Sequence, residues 1–142
     1  MTEARKKLFL AQSLSKCKSD AWKIFSEWIR RRFANDQGIV PCCSCGRAYF
    51  WKEGDAGHWP SIDGRNNSIL FEERGCHFQC KQCNVFRHGN PAGYDAYMRK
   101  HYGEKVMADL IKLKRKTVIY SKQDLILMID GWMAKLAALD RK

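Results

Sequence analysis

Four cysteines stand in two CxxC pairs, Cys42/Cys45 and Cys80/Cys83. Each short turn aims two thiolates at one point about 2.3 Å away, so the pairs together can surround a Zn²⁺ tetrahedrally. Cys43 competes with Cys42 for the first position, but Cys43 and Cys45 are separated by a single residue, poor geometry for two ligands on one metal. Cys17, Cys43 and Cys76 then remain as ordinary small, buried or half-buried thiols. A redox CxxC is the competing reading of either pair alone; two pairs with a histidine between them favour a structural zinc.

That histidine is His58, at the end of a DAGH segment beginning at Asp55, and Asn84 directly follows the second pair. Zinc would draw the two segments into one cleft. On a regular strand Asp55 and Gly57 point to one face and His58 to the other. Gly57 has no side chain, so Asp55 can reach past it toward a metal while His58 faces a water from beside it. Asn84 and His88, four residues apart, share a face of a helix. Asp55, Asn84 and His88 make an oxygen-rich set with one imidazole, which suits Mg²⁺ or Mn²⁺ rather than a second zinc. An isolated histidine is more often structural than catalytic; the neighbours of His58 turn that balance. His77, between Cys76 and Phe78, reads as a supporting residue, and His101 has no evident catalytic partner.

The elements that must position these residues can be read from periodicity and punctuation. Helices are expected from Glu3 to about Leu14, as an arm that orders on DNA or on a partner, and from a Ser19 cap to about Ala34, with Trp22, Phe25, Trp28 or Ile29, and Phe33 as its core face. Strands are expected at 47–52 and 55–59, the second returning on the first after a turn at Glu53 and Gly54, with a polar loop at 61–68 and a short extended piece at 69–71. A short helix from Lys81 to His88 is closed by Gly89, and Asn90 caps the next, with Pro91 in its first turn. Helices at 104–114 and 121–139 follow, the last opened by a capping box between Ser121 and Asp124. The fold class is α+β, as one domain over 1–142: a helical arm at 1–38, a zinc-bound core at 39–90 and a helical region at 91–142.

With 26 Lys and Arg against 15 Asp and Glu, the formal charge is +11. Four thiolates on Zn²⁺ leave it at about +9. Basic residues cluster at Arg30, Arg31 and Arg32 and at Lys112, Lys114, Arg115 and Lys116, which points to a nucleic-acid backbone and a binding constant that falls with salt. Arg74 and Arg87 could hold phosphates nearer the cleft. No apolar run reaches the roughly 18 residues that span a bilayer. The cysteine spacing suits a reducing compartment, so a soluble cytoplasmic protein is expected.

At PCCSCG (41–46), DAGH (55–58), QCKQCN (79–84) and GN (89–90) the chain resembles the HNH, or ββα-metal, endonucleases, and more closely the phage NinG/Rap recombination family. The likeness is specific between Pro41 and Asn90. It implies a zinc-stapled ββα-metal core flanked by helices, and a Holliday junction resolvase-like endonuclease acting on branched recombination intermediates in the bacterial host cytoplasm. His58 would be the general base and Asp55 and Asn84 would bind Mg²⁺ or Mn²⁺. Helix geometry favours His88 as third ligand, whereas the family's GN pair favours Asn90. Gly57 stands where HNH enzymes commonly carry a ligand. The Asn that braces the base-bearing loop is expected near Gly75, so Asn66, Asn67 or His77 would replace it. A junction with approximate twofold symmetry implies a homodimer, and the apolar last helix, with Leu125, Ile129, Trp132 and Leu136, would be either its interface or intramolecular core. The alternative function is a non-catalytic, zinc-dependent nucleic-acid-binding accessory protein in recombination or transcription.

Overall fold

The computed structural model describes residues 1–62 and 67–141, with the side chain of Asn67 also left aside. Among the described residues five α-helices and two small antiparallel sheets follow in the order α1 (Glu3–Leu10), α2 (Leu14–Arg31), β1 (Ile39–Pro41), β2 (Ala48–Phe50), β3 (Gly54–His58), β4 (Cys76–Cys80), α3 (Pro91–His101), α4 (Glu104–Lys114) and α5 (Lys122–Asp140). A π-helical turn, Gln82–Phe86, follows β4. The chain divides into two compact units, Met1–Trp28 with Ile119–Lys142, and Ile29–Val118. Among the described residues no helix is long and apolar enough to cross a membrane.

The first unit is helical. Cys17, Ala21 and Phe25 of α2 and Leu125, Ile129, Trp132 and Leu136 of α5 are buried, and the Phe25 and Trp132 rings lie 4.9 Å apart. The apolar run of α5 is therefore largely spent inside this unit. α1 packs on α5, its Phe9 is buried, and Asp130 accepts the Met1 ammonium at 2.7 Å. α1 stops at Leu10, not Leu14. α2 also starts earlier than Ser19: Ser13 Oγ accepts the Lys16 N–H at 3.1 Å, the bond of an N-cap. Its end at Arg31 leaves Phe33 outside the helix and 57 % exposed, with the Arg32 guanidinium over the ring, so the expected core stripe closes at Ile29.

In the second unit the strand pairing corrects the sequence expectation. The two strands on either side of Glu53 do not pair with each other. β2 pairs with β1, Val40 opposite Tyr49, while β3 pairs with β4, Asp55 opposite Gln79 and His58 opposite Cys76. All five residues of β4 are buried, so it carries no alternation by which to be read. The extended piece expected at 69–71 is instead preceded by a 3₁₀ turn, Asn67–Ile69. β1, β4 and the π turn bury Val40, Cys42, Phe78, Cys80 and Cys83 together, and α3 and α4 bury Tyr94, Met98, Met107 and Leu110.

Candidate functional site

β4 and the turn after it place both chemical clusters. β4 ends at Cys80, and the turn carries Cys83 and Asn84 as adjacent residues. The sulfurs of Cys42, Cys45, Cys80 and Cys83 lie within 4.8 Å of one another, and Cys45 and Cys80 are 3.8 Å apart. A tetrahedron of thiolates about 2.3 Å from zinc has edges of about 3.8 Å, so the cluster could hold zinc after sulfur shifts of about 1 Å or less. Cys42 rather than Cys43 completes it. Burial raises the thiol pKa values of Cys42 and of Cys83, the latter to about 12. For Cys80 the same burial is outweighed by hydrogen bonds from the Cys83 backbone and the neighbouring thiols, and its pKa falls to about 7. Asn90 Nδ2 donates to Cys83 Sγ at 3.3 Å while its Oδ1 accepts the Gly93 N–H, capping α3 as expected. The Asn90 side chain is thus directed to the cysteines and the helix end, not to Asp55.

A depression of about 270 Å³ lies beside the cluster, lined among others by Gly57, His58, Gln79, Asn84 and His88. His58 and Asn84 are brought together as the sequence suggests. Asp55 joins them through Asn84, whose Nδ2 donates to Asp55 Oδ2 at 3.0 Å, while Lys81 Nζ forms an ion pair with Asp55 Oδ1. His88 reaches the same depression by another route than helix spacing. The turn is π-helical, with the Arg87 N–H bonded back to the Gln82 carbonyl, and His88 stands after it at φ +52°. The two side chains share a wall without sharing a helical face.

His58 Nε2 bonds the Leu70 carbonyl at 2.9 Å, and burial lowers the imidazole pKa, partly offset by that bond. The strand beneath is held by a buried chain of hydroxyls. Tyr94 donates to the Gly57 carbonyl at 2.7 Å, so its oxygen takes the Nδ1–H of His77 at 3.0 Å. That leaves His77 Nε2 to accept the Tyr102 hydroxyl at 2.8 Å. His77 is neutral, its pKa pushed down to about 3 by burial and then by the nearby Arg32 charge. It supports the site as expected, but through β3 and not by bracing the segment at Leu70. Asn66 lies outside the described residues, as does the side chain of Asn67.

Gln79 is a member that sequence reasoning passed over. Its amide donates to Ser44 Oγ at 2.7 Å and to the Gly89 carbonyl at 2.8 Å. A Cβ on Gly57 would stand 1.8 Å from its Oε1, so the missing side chain makes room for this carboxamide. Lys81 and the Leu70 carbonyl were passed over too. Lys81 was the more legible, three residues before Asn84 on the same turn.

The basic residues separate into two groups. Arg30 and Arg31 sit over the Trp51 ring at 5.1 and 5.4 Å, and Arg32 donates to the Glu73 and Cys76 carbonyls. Arg74 pairs with Glu72 at 2.7 Å, and Lys114 donates to the Ser61 carbonyl at 2.5 Å. Lys112, Arg115 and Lys116 are exposed. Arg87 is exposed as well, on the outer wall of the cysteine cluster beside Arg47 and Tyr49.

No curated protein and no solved structure matches this chain. The family model described as Bacteriophage Lambda NinG protein matches residues 1–142, and the chain belongs to that family.

Proposed function

We propose that this NinG-family chain is a metal-dependent endonuclease that cuts branched DNA with His58 as the general base. The observation that carries the reading is the 2.9 Å bond between His58 Nε2 and the Leu70 carbonyl, in the depression that Asn84 and His88 also line. A carbonyl can only accept, so Nε2 holds the proton and Nδ1 keeps its lone pair. Burial lowers the pKa, and the ring stays neutral at neutral pH. Such an imidazole has the neutral protonation state that a base for a water attacking phosphorus needs. The Tyr94 hydroxyl holds the preceding carbonyl, which limits the motion of the strand end that carries the ring.

The adjacent oxygens of Asp55 and Asn84 fit a hard divalent cation once the Asn84 amide presents its oxygen and the Lys81 ammonium withdraws. Asp55 and Asn84, with His88 from the same wall, would hold Mg²⁺ or Mn²⁺, which supplies Lewis-acid stabilisation of the phosphoryl oxygens and the leaving 3′ oxygen. The order β3, β4, helical turn is the order a ββα-metal core requires. Zinc at the four cysteines would clamp that core. A formal charge of +11 and the exposed Lys112, Arg115, Lys116 and Arg87 favour a polyanionic substrate. A dimer would set two such depressions against the two strands of a junction.

One observation favours the alternative of a zinc-dependent DNA-binding protein without catalysis: Lys81 already neutralises Asp55. Incubation of a four-way junction and a linear duplex with Mg²⁺ or Mn²⁺ separates the two. The nuclease reading expects the wild type to cut the junction, and His58→Ala to cut about 10²–10⁴-fold more slowly while still binding. Binding without cutting by the wild type supports the alternative. Equal cutting by His58→Ala rejects the base assignment.

A further inference from the structure

We infer that Phe86, with Val85 beside it, is a wedge that stacks against an unpaired base at the branch point, an inference that rests on the nuclease reading of the neighbouring depression. In the π turn Gln82–Phe86 only Cys83 is buried, while Val85 is 51 % and Phe86 71 % exposed. Single exposed apolar residues are ordinary and need no explanation. These two are consecutive, and they immediately follow the residue that lines the depression, Asn84.

Their exposure is built in. Cys83 is fixed among the cysteines, and Lys81 and Asn84 both bond to Asp55 on β3. Rotating the turn to bury Phe86 would pull Cys83 out of its cluster and break both contacts to Asp55. The surroundings select the occupant. Arg87 directly follows the pair and is exposed, while Lys81, four residues before Val85, is exposed but paired with Asp55. A protein partner would have to bury or skirt these cations, whereas the cores of protein interfaces are depleted in charge. A nucleobase offers a flat face to the ring and carries its own phosphates to the adjacent Arg87. A branch point supplies bases whose stacking is already interrupted, so inserting a ring there costs less than in a continuous duplex.

The test uses the full chain, without added divalent ion, and a four-way junction carrying 2-aminopurine at the branch or, as control, within an arm. Wild-type protein is expected to change the fluorescence of the branch probe and not of the arm probe. Phe86→Ala should lose that signal and bind the junction about ten-fold more weakly, with linear duplex affinity, zinc content and circular dichroism unchanged. Phe86→Trp should restore both signal and affinity. The wedge is overturned if Phe86→Ala keeps the signal and affinity, or loses junction and duplex binding equally. It is also overturned if Phe86→Ala leaves DNA binding intact and instead dissociates an oligomer in sedimentation, which would make the face a contact between copies. A Phe86-dependent branch signal in a protein that never cuts with Mg²⁺ or Mn²⁺ would leave the wedge standing and reject the nuclease reading, so the two failures are distinguishable.

Discussion

The cysteine cluster and the His58 depression meet at consecutive residues, Cys83 and Asn84, yet they are held in different ways. In the cluster the four side chains contact each other, and Cys42, Cys80 and Cys83 are buried. In the depression the side chains are held from behind: His58 by the Leu70 carbonyl, Asn84 by Asp55, and β3 by Tyr94. A closed knot whose members bind one another serves the fold. An open wall whose members are gripped from the rear is the arrangement that the nuclease proposal needs.

That contrast fixes the order of expected effects. Cys80→Ser should do most. A structural zinc contributes on the order of 10–16 kcal/mol, as much as the whole stability of a typical domain. The variant should lose bound zinc by elemental analysis and the cooperative thermal transition of the Ile29–Val118 unit by circular dichroism. Native-like melting would mean that the cysteines are not the clamp. Asp55→Ala is the opposite case. Its pair with Lys81 is partly exposed and worth about 1 kcal/mol or less, so melting should barely move, while junction cleavage falls about a hundred-fold or more. Equal loss of stability and rate would erase the distinction between knot and wall.

Acid gives a smaller effect that belongs to the wall's support. The pKa of buried His77 lies at about 3, below its ordinary value, so below about pH 6.5 the unfolded chain binds a proton that the folded chain refuses. Stability is full above that pH and declines as pH falls toward 3, by about 2 kcal/mol at pH 5. Urea titrations at pH 7 and pH 5 should show this component of the slope, and His77→Gln should remove it. Smallest is Tyr94→Phe. It deletes the hydroxyl between His77 and the Gly57 carbonyl, so about 1 kcal/mol of stability and a few-fold in cleavage rate should go, with zinc content intact. An unchanged rate would show that β3 needs no support from Tyr94.

Chemistry announced by short motifs was legible in the sequence, and contacts made by residues outside such motifs were not. The cysteine pairs, the Asn90 and Pro91 start of α3 and the Ser121 capping box all depend on spacings of a few residues. β4 was hidden because burial of every one of its residues erases the period of two. With β4 unread, Gln79 had no reason to face Asp55, and the His77 chain to Tyr94 and Tyr102 could not be drawn. The ring and the carbonyls that the arginines at 30–32 contact could not be read from composition, because they are brought in from elsewhere in the chain. His88 was placed on the right wall for a reason the π turn does not support.

The close approach of Gly57 and Gln79 carries a consequence for how such sequences can vary. The Gln79 carboxamide fills the volume a Cβ at position 57 would need, and it also ties Ser44 to Gly89. Neither position can drift alone: a methyl at 57 demands a shorter residue at 79, and that change releases two loops at once. In a randomised library, survivors with Gly57 replaced should carry a second change at Gln79. The pair would register there as strong epistasis between two sites that perform none of the chemistry.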